Sequence, residues 1–244
     1  MNARIRNTQP EPFALHAAQP IGQIAIHLPG STAVFRRLKL DFCCGGQISL
    51  GQATADKGQD LQAVLNELGA LERADSSLEF TDPATLIDHI LERYHAVHRD
   101  QLPELLRMAR RVEAVHRDHP EVPAGLAELL EQAEKNLLDQ MDVEESSVFP
   151  LLKAGGSAKA KQAIDTLRAE HTAHGAMLMQ MLALTQNAIP PDGACNTWRA
   201  LYSGIAQFHD DLSRHIHLEN NVLFSQFEVV LPAPAPSTCC GSCC

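Results

Sequence analysis

The chain has 244 residues, 45% of them hydrophobic, and a formal charge of −10 at pH 7. That length allows one large domain or two smaller ones, with ample apolar material for a packed core. The acidic balance argues against general nucleic-acid affinity and against docking on anionic membranes, and no apolar run approaches the roughly 20 residues of a membrane span.

In chain order, the opening Met1-Asn2-Ala3-Arg4-Ile5-Arg6-Asn7 lacks the apolar stretch of a secretory signal, so a cytoplasmic location is expected. Residues 1–20 are polar, carry Pro10, Pro12 and Pro20, and read as a flexible arm. Residues 21–71 show short helices, expected as a compact three-helix module. Ser31 or Thr32 would cap the first of these, which runs through Val34, Phe35, Leu38 and Leu40. It ends at Asp41-Phe42-Cys43-Cys44-Gly45-Gly46, where two glycines permit a sharp reversal. A second helix spans about Ile48 to Ala55. Asp60 caps a third that carries Leu61, Val64, Leu65 and Leu68.

Residues 72–81 form a polar linker. Thr81-Asp82-Pro83 then starts the first of four long helices, spread over 82–228, with Pro in the first turn where its missing N–H does no harm. The first runs from about Pro83 to Val115, with a kink expected at Pro103. The second spans about Ala124 to Leu152, the third Ala158 to Asn187, and the fourth Ala194 to Phe227. Short loops between them imply an up-down-up-down bundle, so the fold class is all-α. Aromatic residues are scarce at 5%, which agrees with that class. Residues 229–244 read as an extended Pro/Cys-rich tail.

Each long helix carries His or carboxylate at helical spacing: Tyr94-His95 with His98, Gln140 with Glu144, His171 with His174, and His215 with Glu219. Residues four apart share one face of a helix. Four such faces turned inward can build a carboxylate-bridged two-metal site, with iron, manganese and zinc all compatible with these donors. His215 and Glu219 lie beside Leu212, Ile216 and Val222, positions expected to face the core. Gln140 and Glu144 sit in the same way between Leu137, Leu138, Val148 and Phe149. Burying such groups is costly unless they bind something. The plain alternative is a set of solvated histidines, ten of the twelve falling between His89 and His217. The pattern on all four helices weighs against it. His95 and His116 stand about 31 Å apart along a straight helix, so only one can reach the site. His95, deeper in the helix, is preferred. His98, His174 and His217 are rotated from these ligands, and roles behind them or at the surface suit them better.

Of the seven cysteines, Cys43-Cys44, Cys239-Cys240 and Cys243-Cys244 are adjacent pairs and Cys195 stands alone. Adjacent cysteines enclose almost no loop and stabilise little as disulfides, so redox or soft-metal roles fit them better. Cys43 and Cys44 precede a helix start, where backbone N–H groups can lower a thiol pKa, and buried structural cysteines are the plain alternative. The tail pairs suit soft metals or carry no selected role. Cys195 receives no assignment.

At these residues the chain resembles the repair-of-iron-centres (YtfE/ScdA-type) family. The resemblance runs from about Gln19 to Phe227 through Asp41-Phe42-Cys43-Cys44-Gly45-Gly46, Tyr94-His95 with Gln101-Leu102-Pro103-Glu104-Leu105, and Asp211-Leu212 with His215-Ile216-His217-Leu218-Glu219-Asn220-Asn221-Val222-Leu223-Phe224. It implies a hemerythrin-like four-helix bundle preceded by a small ScdA-type domain. It also implies two non-haem iron ions, oxo- or carboxylate-bridged, with His95, His171 and His215 as terminal ligands and Glu144 and Glu219 as bridges. Cys43 and Cys44 would be working thiols that pass electrons to the centre or hold iron in transit. The implied function is repair of iron–sulfur clusters damaged by nitrosative or oxidative stress, with iron–sulfur proteins as clients and NO or O2 as small ligands. A nitric oxide reductase forming nitrous oxide, and an O2 or NO sensor, are the alternatives. The two domains meet within one chain or across a homodimer. Two departures stand out. Gln140 occupies the place of a histidine in the family's His-x-x-x-Glu pattern, so either it coordinates poorly or one iron keeps an open position. The four-cysteine tail is not a family feature.

Overall fold

The computed structural model describes residues 15–28, 30–71, 82–156 and 158–227. Residues 1–14 of the expected arm, the linker 72–81 and the tail 229–244 with its four cysteines lie outside the described residues. Those described fold into helices joined by short turns, with no strand among them.

The N-terminal module contains four short helices, α1 (Ile21–His27), α2 (Ser31–Arg37), α3 (Leu50–Asp56) and α4 (Leu61–Gly69). The sequence suggested three, because α1 is brief and lacks a capping side chain. Its Ile21 and Ile24 are fully buried with Phe35, Leu50 and Leu68, so packing rather than a cap holds it. Within the stretch expected as an arm, residues 17–20 are tied down. Ala17 and Gln19 accept the N–H groups of Gly51 and Leu50 at 2.8 Å, and Pro20 bridges to Ser49. Ser49 and Asp60 cap α3 and α4 through the N–H groups of Gln52 and Ala63. Neither Ser31 nor Thr32 caps α2. Gly30, in the left-handed region at φ 85°, precedes it instead. Ser31 lies inside the helix and donates to the Ile24 carbonyl at 3.4 Å, which stitches α2 to α1.

The bundle follows. Its first helix is α5 (Pro83–Ile90), a π turn (Leu91–His95) and α6 (Ala96–Val115). Asp82 caps it by accepting from Thr85 N at 2.9 Å. The second is α7 (Leu126–Val143), a π turn (Glu144–Val148) and α8 (Phe149–Lys153). The third is α9 (Ala158–Leu184). The fourth is α10 (Asn196–His217), a π turn (Leu218–Leu223) and a 3-10 turn (Phe224–Phe227). The helix runs on through Pro103, which is exposed. Among the described residues three π turns interrupt the bundle helices, each at a candidate ligand.

α6 packs on α7 and α10, and α9 closes the ring by packing on the same two. The apolar core forms two clusters. One runs from the N-terminal module through Leu137, Met141, Leu212 and Ile216; the other holds Ile90, Phe149, Leu167, Leu223 and Phe224. The metal-ligand candidates lie between the two on every helix, a polar layer with apolar layers on both sides. The N-terminal module sits on the fourth helix of its own chain, α2 against α10, through an Arg36–Asp210 ion pair at 3.0 Å and a bond from Arg214 to Thr32 Oγ1.

Candidate metal centre

Five of the six candidate ligands come from four different helices and are almost completely buried: His95, Glu144, His171, His215 and Glu219 are 0–1% exposed, and Gln140, the sixth, is 4% exposed. Their donor atoms converge. His95 Nε2 and His215 Nε2 are 3.1 Å apart. Gln140 Nε2 and His171 Nε2 are 2.7 Å apart. The two glutamates lie between these halves. Glu144 points Oε2 at His95 Nε2 (3.4 Å) and Oε1 at Gln140 Nε2 (2.7 Å) and His171 Nε2 (3.8 Å). Glu219 points Oε1 at His215 Nε2 (3.1 Å) and Oε2 at His171 Nε2 (3.1 Å). Each carboxylate therefore offers one oxygen to each half.

The cluster does not satisfy itself. Burial opposes charge on His95 and His171, but Glu144 and Glu219 outweigh it and raise both, His171 to about 10. Glu219, though wholly buried, is held well below the usual carboxylate range by His215 and His171. Two buried carboxylates thus call for positive charge, which protons or metal ions supply. Protons fit poorly. A protonated His171 would meet the Gln140 amide nitrogen donor to donor, while the buried Gln140 Oε1 has no hydrogen-bond partner. Imidazole nitrogens and carboxylate oxygens aimed at one point, with an orphaned amide oxygen beside them, fit a metal centre.

Residues outside the predicted set support it. His95 Nδ1 bonds Glu145 Oε1 at 2.8 Å, and Arg99 holds Glu145 at the same distance. His171 Nδ1 bonds Asn220 Oδ1 at 2.9 Å. Such partners fix the ring and its tautomer. Each directly follows a glutamate of the candidate ligand set, Glu144-Glu145 and Glu219-Asn220, and that adjacency was the only sequence signal. Tyr94 stacks on His215 and Phe224 on His171, with rings 5.5 and 6.1 Å apart.

The remaining histidines stand apart from the converging nitrogens. His98 is buried among His215, Phe208 and Tyr94, and burial keeps its pKa well below the ordinary value. His174 is pushed down to about 4 by burial and then by His171. It lines, with Gln140 and Glu170, a groove of about 550 Å³ between α7 and α9. His217 turns toward the N-terminal module, its Nδ1 at 3.2 Å from the Phe42 carbonyl and 3.0 Å from Asn221 Nδ2. None of the three lies at the surface. His116 is far from the centre, its Nε2 3.3 Å from Cys195 Sγ.

Cys43 and Cys44 are free thiols directly behind His171. Cys44 Sγ donates to the His171 carbonyl at 3.4 Å, and the Cys43 carbonyl accepts from Asn220 and Asn221. A hydrogen bond between the two sulfurs, 3.8 Å apart, raises Cys43 well above the usual thiol value, with burial adding to it, and lowers Cys44 against the effect of its own burial.

Residues 86–227 match the family described as the hemerythrin HHE cation binding domain, and residues 17–72 match ScdA_N, described as a domain of unknown function. The iron-sulfur cluster repair protein YtfE of Yersinia pseudotuberculosis is 46% identical over 209 residues, 84% of this chain and 95% of that one. The chain belongs to the YtfE-type family of hemerythrin HHE proteins. YtfE of Citrobacter koseri is 43% identical and that of Escherichia coli O157:H7 42%, each over 84% of this chain and 94% of the relative. Membership agrees with the geometry: a cation-binding bundle whose converging His and Glu side chains come from all four helices, carrying an ScdA-type module against its fourth. No helix among the described residues is long and apolar enough to cross a membrane.

Proposed function

We propose that the bundle holds two iron ions, one between His95 and His215 and one between Gln140 and His171, bridged by Glu144 and Glu219, and that this centre supplies iron to damaged iron–sulfur clusters in the cytoplasm. The observation that carries the reading is that both buried carboxylates present one oxygen to each half of the cluster. The YtfE relatives, named as iron-sulfur cluster repair proteins, supply the biological role. Iron held there provides one-electron chemistry and, as cargo, the metal that a damaged cluster has lost.

The chain's own residues divide the work. Glu145 and Asn220 orient His95 and His171, while the apolar layers above and below exclude water. The Gln140 half carries the weaker donor and borders the groove, so its iron is the one released first. Cys43 and Cys44 stand behind His171 as working thiols.

Anaerobically purified protein should contain two exchange-coupled irons per chain by metal analysis and Mössbauer spectroscopy; one iron or none would overturn the centre. Iron-loaded protein should restore activity to an iron–sulfur enzyme damaged by nitric oxide, and Glu219→Ala should abolish the transfer. Many turnovers of nitrous oxide with the iron retained would replace repair by nitric oxide reduction, and reversible gas binding without transfer would replace it by sensing.

A further inference from the structure

Outside the bundle centre, the described residues hold one other convergence of metal-ligating atoms. Asp41, Cys43 and Cys44 bring one carboxylate oxygen and two sulfurs within 4.8 Å of one another. We propose that these three residues form a second metal site, for a single thiophilic divalent cation such as Fe²⁺, Co²⁺ or Zn²⁺, whose fourth position opens into the cavity between the two domains.

The distances suit tetrahedral coordination. With a metal–sulfur bond of about 2.3 Å, two thiolates on one tetrahedral ion stand roughly 3.8 Å apart. Cys43 Sγ and Cys44 Sγ are 3.8 Å apart, and Asp41 Oδ1 is 3.2 Å from Cys43 Sγ. The two sulfurs thus already sit at the spacing of one tetrahedral edge.

The donors are also held in place. Asp41 Oδ1 accepts from Cys44 N at 2.9 Å, which orients the carboxylate toward the sulfurs. Asn221 grips the Cys43 carbonyl at 3.1 Å, and Cys44 Sγ rests against the His171 carbonyl. Gly46 is required for the turn, since a Cβ there would lie 2.5 Å from the Phe42 carbonyl oxygen.

Asp41, Cys43 and Cys44 line a cavity of about 260 Å³ at the domain boundary, together with Lys39, Lys57 and Arg36. A water's share of liquid volume is about 30 Å³, so a fourth ligand has ample room. Two thiolates and a carboxylate around a divalent cation leave one net negative charge, which the nearby lysines offset. Binding is not a redox step. Each thiol gives its proton to solvent and the metal takes the two sulfur lone pairs, so two protons leave per metal bound. The site gives the working thiols of the cluster-repair reading a stated coordination, and it does not depend on iron occupying the bundle.

The test uses the full-length chain with Cys195, Cys239, Cys240, Cys243 and Cys244 changed to serine, so that only Cys43 and Cys44 can supply sulfur. Co²⁺ is added to the reduced protein and thiolate-to-cobalt charge transfer is read in the near ultraviolet, a band that the nitrogen and oxygen donors of the bundle cannot produce. One Co²⁺ per chain with this band is expected, lost in Cys44→Ser. Asp41→Asn keeps an oxygen to accept the Cys44 N–H but removes the carboxylate, and should weaken Co²⁺ binding about tenfold or more. The absence of the band in the reduced five-serine protein would overturn the site. So would a band of full affinity in Asp41→Asn, because the carboxylate would then not be a ligand.

Discussion

Gln140 is the position where this chain departs from the expected ligand set, and replacing it by histidine tests the centre most directly. Gln140 donates from its amide nitrogen to Glu144 Oε1 at 2.7 Å, and its oxygen has no partner. To offer that oxygen to a metal, the amide must turn over and give up a hydrogen bond to a carboxylate, worth about 1.5–3 kcal/mol. At 1.4 kcal/mol per factor of ten, the hold on that metal weakens roughly ten- to hundredfold relative to an imidazole, which has no such bond to lose. Gln140→His is therefore expected to slow the release of one iron to a ferrous chelator by about ten- to hundredfold. The other iron, on the His95–His215 side, should leave at its original rate. Stopped-flow absorbance on anaerobically loaded protein resolves the two phases. Equal rates in the two proteins would refute the argument. Equal slowing of both phases would show that Gln140 does not belong to one half of the site.

Three further outcomes follow from the same geometry. Asn220→Ala removes the partner of His171 Nδ1 while Asn221 still holds the Cys43 carbonyl, so metal affinity in a chelator competition should fall about ten- to hundredfold; a change within twofold would count against the strut. His174 and His217 are held neutral, both near 4, so metal-free protein should keep their contribution above pH 6.5 and lose it as pH falls toward 4. The loss is at most about 3 kcal/mol per histidine, read as a falling urea midpoint. In that window the raised His95 and His171 act with the opposite sign, and only near pH 6.5, where the unfolded imidazoles take up their protons. His217→Gln should flatten the decline, and an unaltered slope would rule His217 out. In the thiol pair, Cys44 should be alkylated well before Cys43 at neutral pH, because the hydrogen bond between them favours its thiolate and Cys43 is also the more buried. Mass spectrometry of partly modified protein decides this, and preferential labelling of Cys43 would contradict it.

Local signals were enough to place most helices. Asp82 and Asp60 cap where their spacing suggested, and the four long apolar periodicities became the four bundle helices. The brief α1 was missed because its stability comes from Ile21 and Ile24 packing into the module, a tertiary term with no local marker. Pro103, where a kink was expected, lies within the continuous span of α6. The three π turns among the described residues fall at ligand-bearing segments, and no residue type announces them.

The residue types and spacings of His95, Gln140–Glu144, His171 and His215–Glu219 were legible in the chain because a helix repeats every 3.6 residues and places positions four apart on one face. His98, His174 and His217 carry similar spacings, and their rotation set them apart from the ligands without saying where they would lie. Tertiary packing decided that all three are buried, and that His217 faces the N-terminal module. It also decided that Glu145 and Asn220, polar residues with no periodic signal, brace His95 and His171. The contact of Cys44 with His171 spans 127 residues of sequence. Spacing along one helix follows from the covalent chain, whereas the meeting of groups on separate helices follows from how their apolar faces pack.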